Sequence, residues 1–301
     1  MTEGPGSSAP LKGILCLVVA GALMTASDSV LKWLTSGYPV GQIIFLRGVF
    51  GLIPVLIFVQ QAGGIDALVT RNYRDHILRS GLMVGGTFLY VTGLRFLPLA
   101  DVISIAFAGP LFITALASPM LGEHIGWRRW IVVLIGFTGI LINFRPGGAV
   151  FQWAALFPLA ASCTGALRDI LTRKMSVSET TVSLLFYSTI AIALGGLVTA
   201  PFGSWQPVII RDWLFFVLTG LLTGGAHFLM VEAFRLCEAA LVAPFKYTSV
   251  LWAILFGYFI FREVPELNTL VGASVVISSG IYILHREREL RRHRASVIEK
   301  Y

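Results

Sequence analysis

Long apolar runs alternate with short polar breaks along the whole chain. Ten such runs can be marked, at 11–34, 39–60, 76–97, 100–121, 127–145, 151–174, 180–200, 212–236, 240–261 and 267–285. A helix needs about 20 mostly apolar residues to cross ~30 Å of hydrocarbon, and each run comes close to that. Strands of a membrane barrel would instead alternate in polarity over about 10 residues. Runs such as 131–144 are continuously apolar, so the pattern predicts helices. The expected fold is an all-α polytopic membrane protein with ten transmembrane helices. Its longest connections, 61–75 and 201–211, are too short for a further domain. Residues 1–10 form a short N-terminal tail, and the polar tail 286–301 is expected to be frayed helix or disordered.

Composition agrees with this pattern. Hydrophobic residues make up 56% of the 301 and charged residues only 13%, with a mean hydropathy of +0.80. A soluble domain carries about 25% charged residues, so a soluble enzyme, a nucleic-acid binder and a disordered chain are excluded. The net charge of +7 comes from cations at the ends of apolar runs, which is a topology signal. With the N-terminus placed in the cytoplasm, sixteen Lys and Arg fall on the inner side and five on the outer. Arg47 and Lys246 are left over inside spans. The bias puts both termini in the cytoplasm. Cys16, Cys163 and Cys237 are odd in number and widely spaced, giving neither a disulfide framework nor a zinc site. Nothing in the chain calls for a cofactor or a metal. The segment MTEGPGSSAP has neither the basic start nor the cleavage site of a signal peptide.

Displacing the chain by 140 residues exposes a repeat. GGTFLYVTGLRFLPLADV (85–102) then lies on GAHFLMVEAFRLCEAALV (225–242), with seven identities in eighteen positions. Glu123 lands on Glu263, each just after an apolar run, and Asp28 falls beside Asp169. The first unit is 11–145 and the second 151–285, five spans each. An odd number of spans makes the second copy enter the membrane from the opposite side, an inverted repeat of the kind used by alternating-access carriers.

The segment FRLCEAALVAPFKYTSVLWAILFGYFIFREVPELNTLVG (234–272) resembles the second-half signature of the drug/metabolite transporter superfamily, EamA type. Its marks are small residues and Ala-Pro entering the ninth span, an aromatic-rich middle, and a Glu at the turn into the tenth. FLPLADVISIAFAGPLFITALASPMLGE (96–123) is the weaker first-half copy, with Ser104 where the second has Pro244. The resemblance covers nearly the whole chain. It implies a ten-helix secondary carrier of a bacterial inner membrane, similar to bacterial exporters of amino acids, aromatic ones included. It also implies a site between spans 1–4 and 6–9, with spans 5 and 10 peripheral. The implied partners are a small-molecule substrate and the bilayer, without nucleic acid, in a monomer or homodimer.

Ionisable groups inside lipid are costly, so they face a cavity or a partner. Asp28 and Arg47 sit about 8 and 10 residues either side of the first turn. At 1.5 Å per residue their depths differ by only ~3 Å, so a direct ion pair is expected, as a structural clamp or as part of the site. The same arithmetic brings His227 level with Lys246, which is expected about two turns into the ninth span, just after Pro244. Lys246 and Tyr247 are expected to border the substrate path, or Lys246 to pair with Glu232. Glu123 and Glu263 are expected to cap helices or bind backbone. Tyr90, Phe107, Tyr187, Phe245, Tyr247 and Trp252 lie mid-span and could form an aromatic lining, or simply pack. Gly81-x3-Gly85 and Gly220-x3-Gly224 are expected to let helices approach closely.

These residues point to export of amino acids or related metabolites by alternating access. Alternatives are a drug-like cation or nucleoside as solute, or an intramembrane enzyme. The enzyme would need a constellation such as H-E-x-x-H or G-x-S-x-G, and none is present. No phosphate loop is present to couple the cycle to nucleotide hydrolysis.

Overall fold

The computed structural model describes residues 8–70, 72–121, 127–144, 153–175, 178–203, 205–236 and 243–298. Helices account for their regular structure, and no strand occurs among them. In chain order they are α1 (Ser8–Leu34), α2 (Val40–Gln61), α3 (Tyr73–Phe96), α4 (Leu99–Ala106), α5 (Gly109–Leu121), α6 (Trp127–Phe144), α7 (Leu156–Met175), α8 (Thr181–Leu197), α9 (Ile210–Leu236), α10 (Thr248–Phe261) and α11 (Leu267–Ile298). Short 3-10 turns lie at Gly64–Leu68, Trp153–Ala155 and Ala243–Tyr247. Six helical stretches are long and apolar enough to cross a membrane: Leu11–Leu34, Val40–Gln61, Tyr73–Phe96, Leu99–Leu116, Trp153–Thr172 and Ile210–Met230. Four shorter apolar helices accompany them. The chain is a polytopic helical membrane protein.

Two of the expected spans differ from continuous helices. The fourth is broken at Phe107–Ala108, between α4 and α5. Pro110 has no N–H to give to the Ala106 carbonyl, and its ring would collide with it. The Ser162 hydroxyl of α7 instead lies 3.1 Å from that carbonyl and 3.3 Å from the Ile105 carbonyl. In the ninth run, whose residues 240–242 lie outside the described ones, a 3-10 turn at Ala243–Tyr247 precedes α10, so Lys246 lies in that turn and not within a regular helix. Pro244 in that turn likewise offers no N–H. At the other extreme, α11 continues as helix through the basic tail to Ile298.

The main helix pairs each join one half of the chain to the other: α1 with α9, α2 with α8, α3 with α7 and α6 with α11. The core therefore lies between the halves, around fully buried Leu31, Ile43, Leu94, Leu99, Val102 and Phe216. Small residues allow this approach. A Cβ on Gly220 would meet Phe50 and Gly51 backbone atoms at 2.9–3.0 Å, and one on Gly224 would strike Pro54. On its other side, α2 brings Gly48 so close to α8 that a Cβ there would stand 2.9 Å from the Ala193 backbone. The expectation for Gly81 and Gly85 is corrected, because both face open space: a Cβ on either would meet nothing within 4 Å.

The two ends of the bundle are tied by polar clusters. At one end Glu179, just before α8, accepts from Thr70 (2.6 Å) and Ser183 (3.3 Å) and meets His76 Nε2 at 3.1 Å. Asn72 donates to Ser178 at 3.0 Å, and Thr180 donates to the Ala67 carbonyl at 2.9 Å. At the other end the Tyr38 hydroxyl donates to Asp212 at 2.7 Å, and Gln42 exchanges hydrogen bonds with the Gln206 backbone. Burial works against the Glu179 carboxylate, but hydrogen bonds from Thr70, His76 and Ser183 outweigh it and hold its pKa below the ordinary 4.5.

Two tests follow from this packing. Gly224→Leu should lower the thermal midpoint of the purified protein by the equivalent of about 1–3 kcal/mol of overpacking, while Gly85→Ala stays near wild type. A depressed carboxylate pKa adds stability that is complete above the ordinary pKa of 4.5 and fades as pH falls through the lower, folded value. Glu179→Gln should therefore be less stable than wild type at neutral pH, and the gap should shrink on acidification below about 4.5. A gap independent of pH would remove Glu179 from the acid response.

Candidate functional site

The polar residues of the bundle interior meet where α1, α2, α3 and α9 converge. Asp28, only 5% exposed, accepts a hydrogen bond from the Tyr90 hydroxyl of α3 at 2.8 Å. Beside it the Ser27 hydroxyl lies 3.1 Å from Thr223 Oγ1 and 3.2 Å from the Thr219 carbonyl of α9. Arg47 Nη2 donates to the same Thr223 hydroxyl at 3.2 Å. His227, one turn along α9, has Nδ1 2.8 Å from the Thr223 carbonyl. A carbonyl can only accept, so Nδ1 carries a proton, and Nε2 is the position at which the ring can gain or lose a second one.

The expected direct ion pair between Asp28 and Arg47 is not formed. The two act on each other electrostatically, but Asp28 is satisfied by Tyr90 and Arg47 by Thr223. Hydroxyls from two further helices have taken the place of the direct contact. Depth along the helices was sufficient to bring the charges to one level, but not to say which side chain stands between them.

A second group of charges continues the cluster. Arg47, Arg168 and Lys246 all act electrostatically on the His227 ring, and Lys246 feels Asp169 and Arg168 of α7. Arg168 makes a 2.6 Å ion pair with its neighbour Asp169 and reaches Met83 of α3. Lys246 is exposed, as is Asp169, its electrostatic partner on α7. Towards the α2–α3 connection, buried Arg79 joins three helices by donating to Thr172 (2.7 Å), the Leu184 carbonyl (3.0 Å) and the Ser188 hydroxyl.

The aromatic candidates divide. Tyr90 belongs to the cluster. Phe107, at the break between α4 and α5, has its ring 4.8 Å from that of Tyr247. Tyr247 is 7% exposed, and its hydroxyl is directed at Gly280 of α11 with no hydrogen-bond partner among the described residues. Tyr187 lies toward one end of the bundle. Its hydroxyl donates to the Leu68 carbonyl at 2.9 Å and its ring lies 4.6 Å from His76, which places it in the end cluster with Glu179. Trp252 is half-buried and stacked on Phe256, with Nε1 lacking a partner. Glu263 binds backbone as expected, accepting from the Leu99 N–H at 3.0 Å, across the fold rather than on the next helix. Glu123 and the Cys237–Glu238 turn lie outside the described residues.

Sequence reasoning missed Ser27, Thr223, Arg79 and Arg168. Thr223 and Ser27 carried a faint signal, lying four residues before His227 and next to Asp28. Hydroxyl residues are common in apolar helices, where they bond their own i−4 carbonyl, and this hides the few that also bridge helices.

A bundle of apolar helices enclosing acids and guanidinium groups fits a membrane carrier of small solutes. Residues 11–145 and again 152–285 match the EamA-like transporter family. The chain belongs to that family. It is 32% identical over 265 residues to an S-adenosylmethionine uptake transporter of Rickettsia bellii, covering 88% of this chain and 90% of that one. It is 26% identical over 292 residues to a riboflavin transporter of Vibrio cholerae, covering 96% and 98%. A pseudopaline exporter of Pseudomonas aeruginosa is 24% identical over 276 residues, covering 89% and 94%. A crystal structure with 18% identity superposes with a TM-score of 0.64 over 94% of this chain and 99% of that one, and shares its fold.

If Tyr90 is what satisfies Asp28, Tyr90→Phe and Asp28→Asn should be strongly coupled. A double-mutant cycle on thermal stability should give an interaction of about 0.5–3 kcal/mol, and the corresponding Asp28–Arg47 cycle a smaller one. An Asp28–Arg47 coupling larger than the Asp28–Tyr90 coupling would reverse the assignment.

Proposed function

We propose that this protein is a secondary carrier of small solutes bearing an amino-acid head group, with an S-adenosylmethionine-like metabolite as the first candidate and simple amino acids as the second. It works in a bacterial inner membrane by alternating access, with ten spans in two inverted five-helix units, 11–145 and 151–285, and both termini cytoplasmic. The observation that carries the reading is the presence of both signs of charge in one interior cluster. Asp28 can meet an ammonium group, while Arg47, Arg168 and Lys246 can meet a carboxylate. The names of the Rickettsia relatives and the double family match support it, as does the bias of Lys and Arg to one side. A neutral flavin would leave those charges without use. Trp252, Phe107 and Tyr90 remain proposed as the softer, aromatic side of the path, and His227 with Lys246 as its polar side. Tyr187 and Tyr247 support this set from outside it.

The test is counterflow in liposomes holding purified protein. Preloaded unlabelled S-adenosylmethionine should drive uptake of labelled S-adenosylmethionine without ATP, and Lys246→Ala should cut the rate at least fivefold at unchanged folded yield. Riboflavin counterflow with no response to any amino-acid-bearing solute would overturn the substrate class. Imposing a pH step without a solute gradient separates proton coupling from facilitated diffusion. Movement in wild type that is lost in His227→Gln assigns the coupling proton to the His227 ring, whereas no movement in either, with normal counterflow, makes the protein a facilitator.

A further inference from the structure

A cleft of about 450 Å³ opens at the end of the bundle that carries the α1–α2 turn, away from the interior cluster. Its walls include Lys32, Trp33, Ser36, Arg95 and Phe261. One of these residues belongs to the contact that closes the two halves at this end. Lys32 pairs with Glu263 at 2.5 Å and donates to the Leu97 carbonyl at 2.6 Å. The other oxygen of Glu263 accepts from the Leu99 N–H at 3.0 Å. A single carboxylate after the end of α10 thus holds α1 and the start of α4 together.

The second cation is differently placed. Arg95, in the last turn of α3, is exposed, and its guanidinium lies 6.0 Å from the Phe96 ring. Among the described residues no carboxylate is within ion-pair distance of it. Lys32 itself lies 5.2 Å from the centre of the Phe261 ring, and the Arg211 guanidinium lies 5.2 Å from the centre of the Trp33 ring. The cleft therefore offers one uncommitted guanidinium and one committed ammonium between aromatic walls. A planar guanidinium binds carboxylate or phosphate oxygens in a forked geometry. An anion held on Arg95 inside this cleft would also lie near Lys32, and it would compete there with Glu263.

We propose that this cleft is an entry subsite for the anionic oxygen group of a small solute, a carboxylate or phosphate, and that its occupancy draws Lys32 away from Glu263 and opens the contact between α1, α4 and α10. Arg95 captures the group and Lys32 is the trigger. The proposal deepens the carrier reading and rests on it for the role of the solute, but binding and opening can be measured without transport.

Spin labels on Gly37→Cys and Val264→Cys, in a chain with Cys16, Cys163 and Cys237 changed to Ser, lie on either side of the contact at exposed positions. Pulsed electron–electron distance measurements in phosphatidylcholine nanodiscs, with acetate and inorganic phosphate as probes, should show a longer separation than chloride at equal ionic strength. Lys32→Gln should show the longer separation without any anion. Arg95→Gln should need about tenfold more anion for half the effect, the loss of roughly one charge-assisted hydrogen bond. An unchanged separation with both anions, or an Arg95→Gln response equal to wild type, overturns the proposal. Repeating the measurement with phosphatidylglycerol in the disc and no added anion tests the other source of phosphate. An Arg95-dependent lengthening under that condition would give the cleft to a lipid headgroup and overturn the solute assignment. These outcomes stand whether or not S-adenosylmethionine proves to be transported, so the two readings fail separately.

Discussion

Lipid offers no hydrogen bonds, so the backbone and most polar side chains inside this bundle take their partners from other parts of the chain. The arrangement around Thr223 follows from that constraint. Its hydroxyl and carbonyl, one turn before His227, serve Ser27, Arg47 and His227, and so α1, α2 and α9 are fixed relative to one another by a single residue. Tyr90 brings α3 to the same place through Asp28. The cluster holds four helices in register, and under the proposed function the same groups present charge to a solute. Removing one partner from such a network leaves a buried charge exposed to hydrocarbon, which costs more than the contact it loses.

The same constraint explains why the α4–α5 break is tolerated. A proline frees a carbonyl in mid-membrane, and the hydroxyl of Ser162 on a neighbouring helix lies within reach of it. Close approach is the other requirement, met by glycines on α9 that admit α2 without room for a side chain. These contacts join the first half of the chain to the second, so neither half is expected to hold its shape alone.

Much of the fold was legible in the sequence because hydrocarbon thickness sets the length of an apolar run. Span ends were recovered within a few residues at α1, α2 and α3. The break in the fourth run was not, because Phe107 and Ala108 are as apolar as their neighbours and Pro110 is compatible with a helix start. The site was legible as residue types and depths. Asp28, Arg47, Tyr90 and His227 do come together, but depth says nothing of azimuth. Tyr187 joins the Glu179 cluster at one end of the bundle, and the Tyr247 hydroxyl is directed at Gly280. Arg79 was counted only as a topology signal, since a cation near a helix end reads the same whether it lies in water or is buried on neutral acceptors.

The rings of Phe107 and Tyr247 touch where the fourth and ninth runs both depart from regular helix. The two positions are 140 apart, the same displacement that superposes 85–102 on 225–242. An operation exchanging the halves carries each ring onto the other, so their contact is mapped onto itself. Under the proposed alternating access, contacts away from such an axis come in twos that trade roles as the halves trade shapes. This one has no counterpart to trade with, and on that reading it serves as a fulcrum common to both shapes. A substitution at either ring would be felt equally from both sides of the membrane.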